Sequence, residues 1–157
     1  LAPKARAIHA TSGQQLAMAV VYYSPLQFLY WYDRPSDSRD EPELEFFDRV
    51  PTVWDETKVL QGKIGEYITT ARRKGDEWFV GVMNGLQPRT LDIPFNFLPA
   101  GKKYVAHIYR DGTMKTPTRT KVEVETRTVD ANTVLPAKLY GSGGLAIRLE
   151  PAEPGKR

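Results

Sequence analysis

Residues 50–85 read VPTVWDETKVLQGKIGEYITTARRKGDEWFVGVMNG, and this stretch decides the fold. Three β-type runs, Lys58–Leu60, Glu66–Ala71 and Trp78–Met83, are separated by Gln61-Gly62, Gly65 and Lys74-Gly75-Asp76. Short runs rich in Val, Ile, Thr and aromatics, punctuated by Gly and Asp, read as a meander of antiparallel strands. Arg72 to Glu77 reads as a polar hairpin tip, with Gly75 free to take a positive φ.

Working downstream, the pattern repeats. A strand is expected around Leu91–Ile93. Lys103–Arg110 alternates, with Tyr104, Ala106 and Ile108 on one face and Val105, His107 and Tyr109 on the other. Asp111-Gly112 signals a hairpin turn. Lys121–Val129 alternates as a half-buried edge strand does, and 129–134 is expected to pair next. Leu139 to Gly144 reads as a flexible turn, Leu145–Leu149 as the last strand, and 151–157 as a frayed tail. About seven or eight strands at regular spacing predict an antiparallel β-sandwich, a mainly β fold, over residues 51–150.

Upstream, residues 1–50 differ. Thr11 and Ser12 are candidate N-caps for a long helix from about Gly13 toward Phe28, Leu29 and Trp31, with a kink or restart near Tyr22–Ser24 because Pro25 removes a backbone donor. Every residue from Leu16 to Tyr23 is apolar or aromatic. A helix with no polar face is buried all round. A small β domain covers one side only, so the sequence asks for a further partner, a missing domain or a second subunit. The alternative is a central helix wrapped by the chain's own sheet. Residues 33–43 read as a loop, and a short helix anchored by Phe46 and Phe47 is expected at Glu43–Arg49, stopping before Pro51.

Composition narrows the class. The chain has 157 residues, 41% hydrophobic and 26% charged, with no cysteine, which excludes disulfides and thiolate metal sites. The net charge of +3 is spread along the chain, so nucleic acid is not an expected partner. No apolar run is long enough to span a membrane. No basic-then-apolar leader opens the chain, which reads as a fragment or a processed product.

Catalytic chemistry is hard to build from these residues. Glycoside cleavage needs two opposed carboxylates. The candidates are Asp55, Glu56 and Glu66, yet Asp55 and Glu56 are adjacent and point differently, and Asp55 after Trp54 reads as a turn cap. His9 and His107 have no second ligand at metal spacing. Ser12 and Ser24 lack a nucleophile-elbow context, and Gly141-Ser142-Gly143-Gly144 is followed by no helix that would cradle phosphate. Arg72-Arg73-Lys74 reads as a solvated tip. The aromatics crowd the first third, which favours burial against a neighbouring domain over a sugar platform. Trp54, Trp78 or Tyr109 would serve if the chain were instead a carbohydrate-binding module.

Two segments resemble a known family. Gln14–Gln27 (QQLAMAVVYYSPLQ) and the run PTVWDETKVLQGKIGEYITTARRKGDEWFVG are similar to the C-terminal end of glycoside hydrolase family 97. Where that family has a His before Gln-Leu-Ala, this chain has Gln14. The resemblance implies a bacterial enzyme, periplasmic or secreted, that hydrolyses α-glucosides or α-galactosides. It implies a catalytic (β/α)8 barrel that uses calcium and a C-terminal β-sandwich that braces the barrel and aids oligomerisation. It also implies that the helix from Gly13 is the last helix of the missing barrel. No family catalytic residue or calcium ligand maps onto this chain. Pro51–Thr57 then becomes the junction of barrel and sandwich, which makes Trp54 and Asp55 the expected residues bordering the substrate cleft.

Overall fold

The computed structural model describes residues 10–26, 41–116 and 120–152. Two helices, α1 (Ser12–Val21) and α2 (Leu44–Arg49), precede eight strands: β1 (Glu56–Lys63), β2 (Tyr67–Lys74), β3 (Glu77–Asn84), β4 (Arg89–Pro94), β5 (Tyr104–Asp111), β6 (Val122–Val129), β7 (Val134–Leu139) and β8 (Gly144–Pro151). Six form one antiparallel sheet in the order β1-β2-β3-β8-β5-β6, and β4 pairs with β7 in a second. The expected mainly β sandwich is present.

The meander forms as its sequence indicates, with longer strands. Gln61-Gly62 does not end β1; the strand passes through it with a bulge between Val59 and Gln61, which twists an exposed edge away from further pairing. Lys74 pairs with Glu77 across the β2–β3 turn, where Gly75 has φ 58. β6 lies at the opposite edge, as its alternation requires. Two downstream readings are corrected. Asp111-Gly112 closes no tight turn, since β5 runs through Asp111 and β6 begins only at Val122. Residues 130–133 form a turn, so the next strand is 134–139, and it joins β4 in the other sheet.

Strand β3 explains the layering. Trp78, Val80 and Val82 point toward the β4–β7 ribbon and share a core with Ile93, Phe95, Ile108, Leu135 and Ile147. Its alternate residue Phe79 joins Leu16, Val20, Phe46, Tyr109 and Ala146 in a second core beneath the helices. A strand covered on both faces reads as a continuous apolar run, because neither face meets water. Gly81 is where α1 comes closest. A Cβ there would lie 2.7 Å from the Ala17 carbonyl oxygen and 2.9 Å from Val20.

Thr11 caps α1 by accepting from the Gln14 N–H at 3.2 Å, as its hydroxyl suggests. The helix breaks where the kink or restart was expected, at Tyr22–Ser24. It ends at Val21, and Tyr22 is already extended. Pro25 disfavours helix at the residue before it, and Arg72 binds the last carbonyls, with Nη1 at 3.2 Å from Tyr22 O. The remainder of the expected helix, from residue 27, and most of the expected loop lie outside the described residues, as does the tail from 153. The sheet covers one face of α1, burying Gly13, Leu16, Ala17 and Val20 at helical spacing. Tyr22 and Tyr23 stand exposed beyond its end. The short helix appears where predicted, with Phe46 fully buried.

Candidate functional site

Trp54 and Asp55 sit where the chain leaves the helical layer and enters β1. Asp55 is a turn cap. Its carboxylate accepts the Gly75 N–H at 2.7 Å and the Lys74 ammonium at 3.0 Å, holding the β2–β3 turn. Those bonds, the Gly75 amide first, keep its carboxyl below the ordinary value. The Trp54 ring packs edge-on against Phe79 at 5.4 Å and lies under the Arg72 guanidinium at 5.6 Å. Its indole N–H is buried, with no acceptor among the described residues.

Arg72 departs from the reading of a solvated tip. It is 3% exposed, and donates to the carbonyls of Val21 and Tyr22 at the negative end of the α1 dipole. The guanidinium also lies over the Tyr23 ring, at 5.7 Å. Together with Ser24, Pro25, Thr52, Val53 and Thr57, these residues line a cavity of about 250 Å³.

The remaining candidate carboxylates are held in surface ion pairs. Glu56 meets Arg73 and Lys58, each at 3.1 Å, and Glu66 meets Lys63 at 2.5 Å and Arg89 at 3.1 Å. Both carboxyls lie below their ordinary value, Glu56 mainly through Arg73 and Glu66 mainly through Lys63. A general acid needs the opposite shift. His107 Nε2 is 2.9 Å from Glu150, a satisfied histidine, and His9 lies outside the described residues. The Ser24 hydroxyl donates to the Leu26 carbonyl and accepts from the Leu26 N–H, as a turn residue does. Trp78 and Tyr109, offered as exposed sugar-stacking rings, are 3% and 0% exposed. Each belongs to one of the two cores, so neither reaches a ligand.

Other polar residues anchor the frame, a part that sequence reading did not give them. Asp111 accepts from the Thr11 hydroxyl at 2.7 Å, the Gly13 N–H at 2.8 Å and the Gly144 N–H at 3.1 Å. The Gly141–Gly144 turn is pinned in place beside α1, with the Thr11 N–H donating to Ser142 O. Asn84, almost fully buried, donates to the Gln87 and Tyr140 carbonyls and accepts from Arg89. The one advance signal was Thr11 as a cap. Among the described residues no group of three or more His, Asp or Glu could hold a metal ion.

The second notable concavity, about 540 Å³, lies between α1 and the β1–β2 edge and is lined by Gln14, Val59, Ile64, Ile68 and Met83 among others. The fold and its polar contacts are those of a structural β-sandwich with a helical back layer. The family profile described as "Glycosyl-hydrolase 97 C-terminal, oligomerisation" matches residues 53–150. The chain belongs to that family of C-terminal domains of glycoside hydrolases. A retaining alpha-galactosidase of Bacteroides thetaiotaomicron is 38% identical over 141 residues, 89% of this chain and 21% of that protein. A probable retaining alpha-galactosidase of Streptomyces bingchenggensis is 31% identical over 54% of this chain and 13% of that protein. Among solved structures, a glycoside hydrolase family 97 enzyme of Pseudoalteromonas in complex with acarbose superposes with a TM-score of 0.81 at 36% identity, covering 92% of this chain and 23% of that one. The chain thus spans about one-fifth of the length of the first of these relatives.

Proposed function

We propose that the chain is the non-catalytic C-terminal part of a larger glycoside hydrolase acting on α-galactosides or α-glucosides. There it braces the catalytic barrel and contributes to contacts between subunits. The observation that carries this reading is the 38% identity across 89% of the chain to only 21% of a retaining alpha-galactosidase. The chemistry of the described residues agrees, since Asp55, Glu56 and Glu66 are each held ionised by basic or amide partners. In this reading Trp54 and Asp55 lie at the boundary with the catalytic part, near its substrate cleft. The calcium implied for the whole enzyme is held by that part.

The test compares three proteins on 4-nitrophenyl α-galactoside and α-glucoside: the full-length polypeptide, the same polypeptide lacking this region, and this chain alone. Turnover is expected from the full-length protein and none from the chain. Removing the region is expected to lower the melting temperature of the catalytic part. Turnover by the chain above a blank, abolished by a point change within it, would overturn the assignment.

A further inference from the structure

The end of β3 carries a chemically labile dipeptide, Asn84-Gly85. An asparagine side-chain amide is open to attack by the backbone nitrogen of the next residue, and a following glycine hinders that attack least. The chain's other asparagines, Asn96 and Asn132, precede the bulkier Phe97 and Thr133. The fold calls for both residues of the pair. A Cβ on Gly85 would lie 2.8 Å from Glu66 O and 3.1 Å from Gly65 O. Asn84 is 2% exposed. Its Nδ2 donates to Tyr140 O at 2.7 Å and Gln87 O at 2.8 Å, and its Oδ1 accepts from Arg89 Nε at 2.6 Å. The main chain is held as completely. Asn84 N donates to Gly143 O at 2.9 Å, and Asn84 O accepts from Gln14 Nε2 at 2.9 Å. Gly85 N donates to Glu66 O, and Gly85 O accepts from Ser142 N, each at 2.6 Å. Every polar atom of the dipeptide is bonded, to α1, the β1–β2 turn, the β3–β4 connection with the start of β4, and the β7–β8 turn.

We infer that Asn84-Gly85 is a self-modification site gated by the fold: inert while this junction is closed, converted irreversibly once it opens. The reaction consumes only water. Hydroxide takes the Gly85 N–H proton, and the nitrogen attacks Asn84 Cγ. A new C–N bond closes a succinimide ring as the Cγ–Nδ2 bond breaks, and Nδ2 leaves as ammonia with a proton from water. Water then opens the ring at Cγ to give aspartate, or at the Asn84 main-chain carbonyl carbon to give isoaspartate, with no change of oxidation state. In the closed structure the Gly85 N–H is tied to Glu66 O, and three hydrogen bonds keep the Asn84 side chain from turning. The rate therefore follows the population of the locally open state. Reclosure is blocked afterwards. In aspartate one oxygen keeps Arg89, but the other sets an acceptor against Gln87 O and Tyr140 O where a donor stood. Isoaspartate adds a carbon to the main chain and breaks the pairing of Asn84 with Tyr67. An opening is thus recorded and made permanent.

The full-length polypeptide is incubated at mildly alkaline pH with urea at a series of concentrations below its unfolding midpoint. Mass spectrometry quantifies the peptide that spans residue 84, and chromatographic retention separates aspartate from isoaspartate. Without urea, Asn84 is expected to convert on the order of a hundredfold more slowly than in a free peptide of residues 82–87. Conversion is expected to climb with urea in parallel with exchange of the Gly85 amide. Arg89→Gln and Gln14→Ala, each removing one bond of the cradle, are expected to speed conversion several-fold in the folded protein and to leave the urea-unfolded rate unchanged. After dilution from urea, converted protein is expected to keep fast exchange at the Ser142 amide while unconverted protein recovers. Conversion of the folded protein at the free-peptide rate would show that no gate exists and overturn the inference. An Asn84 that stays intact even when unfolded would overturn it too, as would converted protein that recovers native exchange. Should a variant not fold, the wild-type urea series and the refolding comparison decide.

Discussion

Gly81 shows how one absent side chain sets a distance. With 2.7 Å between a built Cβ and the Ala17 carbonyl, any larger residue pushes α1 off the sheet. Gly81→Val is expected to destabilise the protein by about 1–3 kcal/mol, measured as a lowered urea midpoint. Asp55 offers a residue-level pH test. Its folded carboxyl is held below the ordinary value by the Gly75 amide and Lys74. Its contribution is therefore present above the unfolded value and lost as pH falls through the folded one. Exchange of the Gly75 amide, corrected for intrinsic rate, is expected to rise in that acid range and to lose this pH dependence in Asp55→Asn. At this scale the sequence was a fair guide where the signal is local. Asp55 as a turn cap and Thr11 as a helix cap depend on neighbours in the chain. Arg72 was misread because its burial comes from Tyr23, Trp54 and the end of α1, which no local pattern reveals.

At the scale of elements, α1 is fastened at both ends by the sheet it lies on. Asp111, at the end of β5, gathers the Thr11 hydroxyl and Gly13 N–H at the helix start together with the Gly144 N–H of β8, and Arg72 of β2 holds the carbonyls at its end. Asp111→Ala strands the Gly13 and Gly144 N–H groups and is expected to cost about 1–3 kcal/mol. Faster amide exchange at the first turn of α1, ahead of the sheet, would locate the loss. The pH sense is opposite to that of Asp55. Burial raises the Asp111 carboxyl against the pull of its three hydrogen bonds. The folded state therefore binds this proton more tightly than the unfolded one, and the group's contribution falls as pH climbs through the raised value. Strand positions were legible from alternation and punctuation. The hairpin inferred at Asp111-Gly112 was not, because the same dipeptide serves as a helix anchor followed by a long connection.

At the scale of the molecule, the sequence already asked for a partner, since the apolar run from Leu16 to Tyr23 exceeds what one sheet face covers. The structure divides that run: Leu16, Ala17 and Val20 are fully buried on the chain's own sheet, while Tyr22 and Tyr23 are left open. The number of strands was also readable. Their assignment to six and two was not, because β7 continues no pattern that distinguishes pairing with β4 from pairing with β6. Long-range pairing is decided by packing of side chains far apart in sequence.

The place of β8 bears on how the protein is made. Two local assemblies, β1-β2-β3 and β5-β6, leave the ribosome before β8, and within the sheet they are joined only through β8, the last of the eight described strands. Until residues 144–151 emerge, the free margins of β3 and β5 are unpaired and Val80, Val82 and Ile108 have no Ile147 between them. Between the completion of β6 at Val129 and that of β8 at Pro151, the nascent chain therefore holds two sticky half-sheets. A premature stop just short of Gly144 removes the keystone of the sheet and leaves a product fit for aggregation or proteolysis.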